Sequence, residues 1–171
     1  MKISRRSAVD PFIVMDVMEA ARAAEEQGRH IIHMEVGQPA TGAPQAARAR
    51  LAQEMDQGPL GYTVALGLPE LRMGIADLYK DWYGIDLDPA RVVVTAGSSG
   101  AFILAFTALF DAGAKVGLGE PGYPSYRQIL SALDLTPVGI QSKIENRLQP
   151  VSDDLPDGLD GLIVASPGNP S

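Results

Sequence analysis

Lys115-Val116-Gly117-Leu118, the stretch Tyr123 to Leu133, and Thr136-Pro137-Val138-Gly139-Ile140 read in succession as strand, helix and strand. Short apolar runs bounded by turn residues such as Glu120-Pro121-Gly122 are the mark of buried strands. Two strands with a helix between them pair in parallel, because a parallel pair needs a long crossover. The same alternation extends both ways. Val92-Val93-Val94 reads as a strand and Ala101 to Phe110 as a helix, apolar nearly all round and so expected to be buried on several sides. Leu162 to Ala165 reads as the last strand, and residues 142–160 as a polar, loop-like connection. The fold class expected is therefore α/β, a mostly parallel sheet with helices on both faces.

Toward the N-terminus the pattern is looser. Asp10 before Pro11 predicts an N-cap with proline at the first helical position. Ile13, Val17, Ala20, Ala21 and Ala24 then recur at helical spacing as far as Gly28. Ile32, Met34 and Val36 alternate with polar residues and predict a short strand entering Gly37-Gln38-Pro39. A weaker helix covers about Pro44 to Met55, and Asp56 to Gly67 is a glycine-rich loop. From Pro69, residues Leu71, Ile75, Leu78, Tyr79 and Trp82 form one apolar stripe that Gly84 closes.

The chain has 171 residues, a hydrophobic fraction of 46%, a formal net charge of -7 and no cysteine. The acidic balance argues against nucleic acid or an anionic membrane as partner. Without cysteine there is no disulfide, no thiolate metal site and no cysteine nucleophile. Arg5-Arg6 is not followed by an apolar stretch, so it does not read as an export signal, and no run is long enough to span a membrane. A cytoplasmic location is the expectation, with no metal site. Because the sequence stops at Ser171 in a turn just after a strand, it is expected to be the first part of a longer protein.

Chemistry concentrates where strands end. Ser166-Pro167-Gly168-Asn169-Pro170-Ser171 places an amide just past a strand's carboxyl end, where open α/β sheets bind ligands. Alternatively, Asn169 only braces its turn through a bond to its own backbone. Thr95-Ala96-Gly97-Ser98-Ser99-Gly100 leads into a helix and offers backbone N–H groups and two hydroxyls to an anion such as phosphate. Alternatively, Ser98 or Ser99 is the helix N-cap. The spacing matches neither a dinucleotide fingerprint, nor a P-loop, nor a hydrolase elbow. Glu120-Pro121-Gly122-Tyr123-Pro124-Ser125-Tyr126 puts an aromatic at the height of a flat ligand, unless Tyr123 or Tyr126 merely packs at a helix start. Gly61-Tyr62-Thr63 carries a loop tyrosine that is otherwise an ordinary surface residue.

The order and wording of these blocks resemble one family. Asp10-Pro11-Phe12-Ile13-Val14-Met15, Val36-Gly37-Gln38-Pro39, Gly61-Tyr62-Thr63 with Gly67-Leu68-Pro69-Glu70-Leu71-Arg72, Val94 to Ala101, Glu120 to Tyr126 and Ser166 to Ser171 look like the N-terminal half of fold-type I, pyridoxal-phosphate-dependent aminotransferases of class I/II. The resemblance covers Asp10 to Ser171 and departs from the family at Ser171, where threonine is usual. It implies residues 1–40 as N-terminal helical arm and small-domain segment, and 41–171 as the first part of a large pyridoxal-phosphate-binding domain. It also implies a pyridoxal 5'-phosphate site in which Ser98 and Ser99 hold the phosphate, Tyr123 stacks on the ring and Asn169 donates to the ring's phenolic oxygen. Tyr62 would reach the cofactor of a partner subunit in a homodimer with shared active sites, and Gly37 would let backbone approach the substrate carboxylate. The substrates implied are an amino acid and a 2-oxo acid.

The family also needs a Schiff-base lysine, and the lysines here, Lys2, Lys80, Lys115 and Lys143, include none in a suitable strand-end context. The chain by itself is therefore expected to hold no catalytic residue and to be inactive. A lyase or decarboxylase on the same scaffold, or a non-catalytic truncated product, is the alternative. His30 and His33 are expected at packing or surface positions, and Glu25, Glu26, Asp153 and Asp154 in solvent.

Overall fold

The computed structural model describes residues 2–169; Pro170 and Ser171, the second proline and the terminal hydroxyl of the Asn169 turn, lie outside them. The elements are α1 (Ile13–Glu26), α2 (Gln45–Gln57), α3 (Pro69–Tyr83), α4 (Gly97–Leu109), β1 (Lys115–Glu120), α5 (Pro124–Ala132), β2 (Thr136–Gln141) and β3 (Gly161–Ile163). They fall into two compact units, residues 1–16 with 96–171 and residues 17–95.

The first unit holds the sheet, in the order β2-β1-β3 with both pairings parallel. Val116 stands opposite Pro137 and Gly161, and Leu118 opposite Gly139 and Ile163. Val116, Leu118, Phe106, Leu130 and Leu135 form the buried core, with Phe102, Phe110, Tyr126 and Ile129 packed around it, so α4 and α5 cover this face. The small residues beside β1 make that possible. A Cβ on Gly161 would lie 2.4 Å from the Phe110 ring. On the other face, a Cβ on Gly117 would meet Leu159 at 2.9 Å, and one on Gly119 would meet Ser142 and Pro150. Residues of the 142–160 connection, rather than a helix, thus lie over that side, and Lys143 Nζ pins the connection to Asp154 at 2.8 Å.

The helix α4 departs from expectation at both its start and its outer face. It begins at Gly97, four residues before the predicted Ala101, with Ala96 at the cap position. Only one of its sides is covered within this unit: Phe106 is buried, whereas Ile103, Leu104 and Leu109 are exposed. The start of α1 also moves. Asp10 is not its N-cap, since the helix begins at Ile13, and the Asp10 and Pro11 carbonyls accept from Gln128 Nε2 at 3.3 and 3.2 Å.

In the second unit α3 ends as its sequence says. Gly84 adopts φ 67 and donates its N–H back to Lys80. Ala76 is buried, while Leu71, Leu78, Tyr79 and Trp82 of the predicted stripe are exposed.

Two predicted strands are absent among the described residues. Val92–Val94 joins no sheet, and three of its backbone groups are bonded elsewhere. Val92 N–H donates to Pro89 O at 3.1 Å, Val94 N–H donates to Leu66 O at 3.0 Å, and Arg72 Nε donates to Val92 O at 2.9 Å. Ile32 to Val36 likewise forms no ladder. Alternation marks a two-faced segment, but a strand also requires a partner.

Candidate functional site

The site grows from the end of β1. Glu120 closes the strand and pairs with Arg127 of α5, and it accepts from Gln141 Nε2 at the end of β2 at 2.5 Å. Gly139 leaves room for that carboxylate, since a Cβ there would lie 2.6 Å from it. Past Glu120 the backbone folds tightly, and a Cβ on Gly122 would sit 2.5 Å from Gly119 O. Tyr123 then occupies the cap position of α5, with Pro124 at the first helical position.

The chain builds β2 on one side of β1 and then crosses to lay β3 on the other. The gap beyond the carboxyl ends of β1 and β3 is therefore the switch point at which open α/β sheets bind ligands. A cleft lies there, and among its lining residues are Gly122, Tyr123, Tyr126, Ala165, Gly168 and Asn169. Tyr123 and Asn169, more than forty positions apart in sequence, thus both line one cleft. Tyr123 is half-buried and also packs at the helix start, with its ring 5.4 Å from Tyr126 and 6.2 Å from Phe12, both edge-to-face. The contact with Tyr126 continues to Phe102 at 5.0 Å and from there to Phe106 at 5.5 Å.

Phe102 ties α4 to the same cluster, one turn beyond Ser98 and Ser99. Both serines are exposed in the first turn of α4, and neither is its N-cap, which is Ala96 with no side-chain bond to the helix. The capping alternative is thereby corrected. This turn carries no acidic residue, so the positive end of the helix dipole faces outward with two hydroxyls beside it. Ser98 and Ser99 are in the same unit as the cleft but are not among the residues lining it.

Tyr62 and Gly37 belong to the other unit. The Tyr62 side chain is fully exposed, and a Cβ on Gly37 would meet nothing within 4 Å. Lys115 begins β1, at the end away from the cleft, while Lys143 and Lys80 pair with Asp154 and Asp86. The Asp154 carboxylate raises the Lys143 ammonium above its ordinary range and is itself held low. Among the described residues no group of three or more His, Asp or Glu could hold a metal ion, and no helix is long and apolar enough to cross a membrane.

Several features were not foreseen. His33 is held by two carboxylates, Nδ1 to Glu35 at 2.6 Å and Nε2 to Glu25 at 3.0 Å. Glu35, then Glu25, raise the imidazole to about 9, and His33 holds Glu35 low in return. Glu25, Glu26 and Asp154 are therefore paired rather than merely solvated, Glu26 with Arg22. The spacing of Glu25, His33 and Glu35 was visible in sequence. The contact of Phe12 with Tyr123 was not, since nothing local announces it.

The sequence profile of Aminotransferase class I and II matches residues 29–171. The valine–pyruvate aminotransferase of Mycobacterium tuberculosis is 47% identical over 99% of this chain and 45% of its own length. A solved structure from Silicibacter pomeroyi is 63% identical, with a TM-score of 0.88 over 100% of this chain and 44% of that one. The crystal structure of an aminotransferase from Mycobacterium tuberculosis is 46% identical, with a TM-score of 0.92 over 100% of this chain and 45% of that one. The chain thus spans less than half the length of the relatives it matches.

Proposed function

Because the chain belongs to the class I and II aminotransferases, we propose that it forms the ring- and phosphate-binding half of a pyridoxal 5'-phosphate site. The whole protein then moves an amino group between an amino acid and a 2-oxo acid. The observation that carries this reading is the cleft at the switch point, with Tyr123 and Asn169 on its walls. Their chemistry fits the cofactor. A half-buried aromatic suits a flat pyridine ring, an amide suits a phenolic oxygen, and a helix start with two exposed hydroxyls suits a phosphate.

When bound, pyridoxal phosphate supplies the electron sink for the amino-group chemistry. The protein's own residues bind and orient it. Tyr123 holds the ring flat and Asn169 donates to its oxygen. Ser98, Ser99 and the backbone at the start of α4 hold the phosphate. Tyr62 serves the partner subunit's cofactor in a homodimer with shared sites, and Gly37 admits the substrate carboxylate. The lysine that attaches the cofactor is none of Lys2, Lys80, Lys115 or Lys143, so these 171 residues alone are inactive. The division into an arm of residues 1–40 and a large-domain portion from 41, and the cytoplasmic location, belong to the same proposal. The relatives above carry aminotransferase names, and no observation favours a lyase, a decarboxylase or a non-catalytic product.

Ser99 tests this reading in the full-length protein. Ser99→Ala removes one hydroxyl from a charged group and is expected to weaken pyridoxal 5'-phosphate binding about tenfold or more. Ser99→Asp sets a negative charge against the phosphate and is expected to weaken it further. Affinity and melting temperature are measured on both. Unchanged cofactor affinity in the Asp variant rejects the phosphate assignment.

A further inference from the structure

The Tyr123 ring is braced on two sides, and one brace comes from far away in sequence. Tyr126, one turn along α5, meets it at 5.4 Å and 82°. The second brace is Phe12, edge-to-face at 6.2 Å and 85°. Phe12 lies just before α1, in a segment with no regular structure of its own. That segment is held to α5 from the other direction. The Gln128 side-chain amide donates to the carbonyls of both Asp10 and Pro11, the two residues before Phe12. Asp10 and Gln128 also line a recess together with Tyr123, Pro124 and Arg127.

A segment tied at successive carbonyls has little freedom at the next residue. The Gln128 bonds therefore determine where the Phe12 ring goes. The Phe12 ring in turn restricts Tyr123, because the quadrupoles of two edge-to-face rings favour one mutual orientation. Tyr123 caps α5 through its backbone alone, with no side-chain bond to the helix, so its ring orientation depends on these neighbours.

We infer that Phe12 is a positioning residue for Tyr123: delivered by the Gln128 clamp, it sets the plane that Tyr123 presents to the cleft. This rests on the reading that Tyr123 lies against the cofactor ring. Phe12 touches neither cofactor nor substrate in this account and acts only through Tyr123. Gln128 acts one step further back.

The test uses the full-length protein and the variants Phe12→Leu, Phe12→Tyr, Gln128→Leu, Tyr123→Leu and Phe12→Leu with Tyr123→Leu. Three quantities are read: affinity for pyridoxal 5'-phosphate, the circular dichroism induced in the bound cofactor's absorption band, and melting temperature. The induced dichroism reports the orientation of the bound ring, which a purely structural role for Phe12 would leave alone. Phe12→Leu is expected to weaken affinity about two- to tenfold, the scale of one edge-to-face pair, and to reduce the dichroism per bound cofactor. Phe12→Tyr keeps a ring and is expected to restore both. Gln128→Leu should give the same changes at smaller size. In the Tyr123→Leu background, Phe12→Leu should add nothing.

A Phe12→Leu variant that melts lower but keeps its affinity and dichroism overturns the inference. So does full additivity of Phe12→Leu with Tyr123→Leu. Tyr123→Leu with unchanged affinity and dichroism would instead remove the ring assignment beneath it.

Discussion

The unit of residues 1–16 and 96–171 seals Val116 and Leu130 to 1% and 0% exposure. Between residues 17 and 95, the buried apolar side chains among those described are Ala76 and Val92, at 7% and 9%. Both regions are rich in apolar residues and both contain well-formed helices. The difference is the sheet. A central strand flanked by glycines lets two helices close over Val116 and Leu118, whereas α3 presents Leu71, Leu78 and Trp82 to solvent with no sheet beneath them in its own unit. The unit with an interior of its own is also the one that carries the cleft, and a site needs such rigid support.

The comparison breaks or holds on one pair of substitutions in the 171-residue chain. Leu130→Ala empties a fully buried position and is expected to cost about 2–5 kcal/mol in urea unfolding. Leu78→Ala, at 39% exposure, is expected to cost less than about 1 kcal/mol. Comparable losses at the two positions would show that the second unit has an interior after all.

A smaller effect sharpens the other side of the contrast. The second unit also carries an ion-pair cluster, His33 between Glu25 and Glu35. The imidazole is raised to about 9, so its contribution is complete below its ordinary value near 6.5. That contribution is lost as pH rises through about 9. The Glu35 share runs the other way: it is present above the ordinary carboxylate range and lost as pH falls through the lowered value. The His33 side chain is about half exposed, so the stability change from its titration is expected to be slight. The titration itself is the readout. The His33 imidazole followed by NMR should have its midpoint near 9 and should fall toward the ordinary value in Glu35→Gln. A midpoint indifferent to Glu35→Gln would dissolve the cluster.

What the sequence made legible follows the same division. The strands β1, β2 and β3 and the helix α5 were readable because short apolar runs between Pro and Gly turns need no distant information. The left-handed cap at Gly84 was readable for the same reason. The Val92–Val94 and Ile32–Val36 runs carried an equally good local signal and failed as strands, because pairing depends on a neighbour that a local pattern does not contain. The early start of α4 was hidden by Gly97-Ser98-Ser99-Gly100, residues that favour turns when read alone. At the site, Tyr123 and Asn169 were legible as residues past strand ends. The Gln128 bond to Asp10 was not, since it joins residues 118 positions apart.

If the cleft beyond β1 and β3 receives the cofactor ring as proposed, Asn169 is the residue whose loss the cofactor itself should report. A donor to the ring's phenolic oxygen stabilises negative charge there, which weakens that oxygen's hold on the neighbouring proton. Removing the donor leaves the proton held more tightly. In the full-length protein, Asn169→Ala is therefore expected to keep the fold and to shift the midpoint of the cofactor's absorbance-versus-pH curve upward. If Asn169 only braces its turn, the variant loses stability while the curve stays where it is. An unmoved midpoint would contradict the account and take Asn169 out of the site.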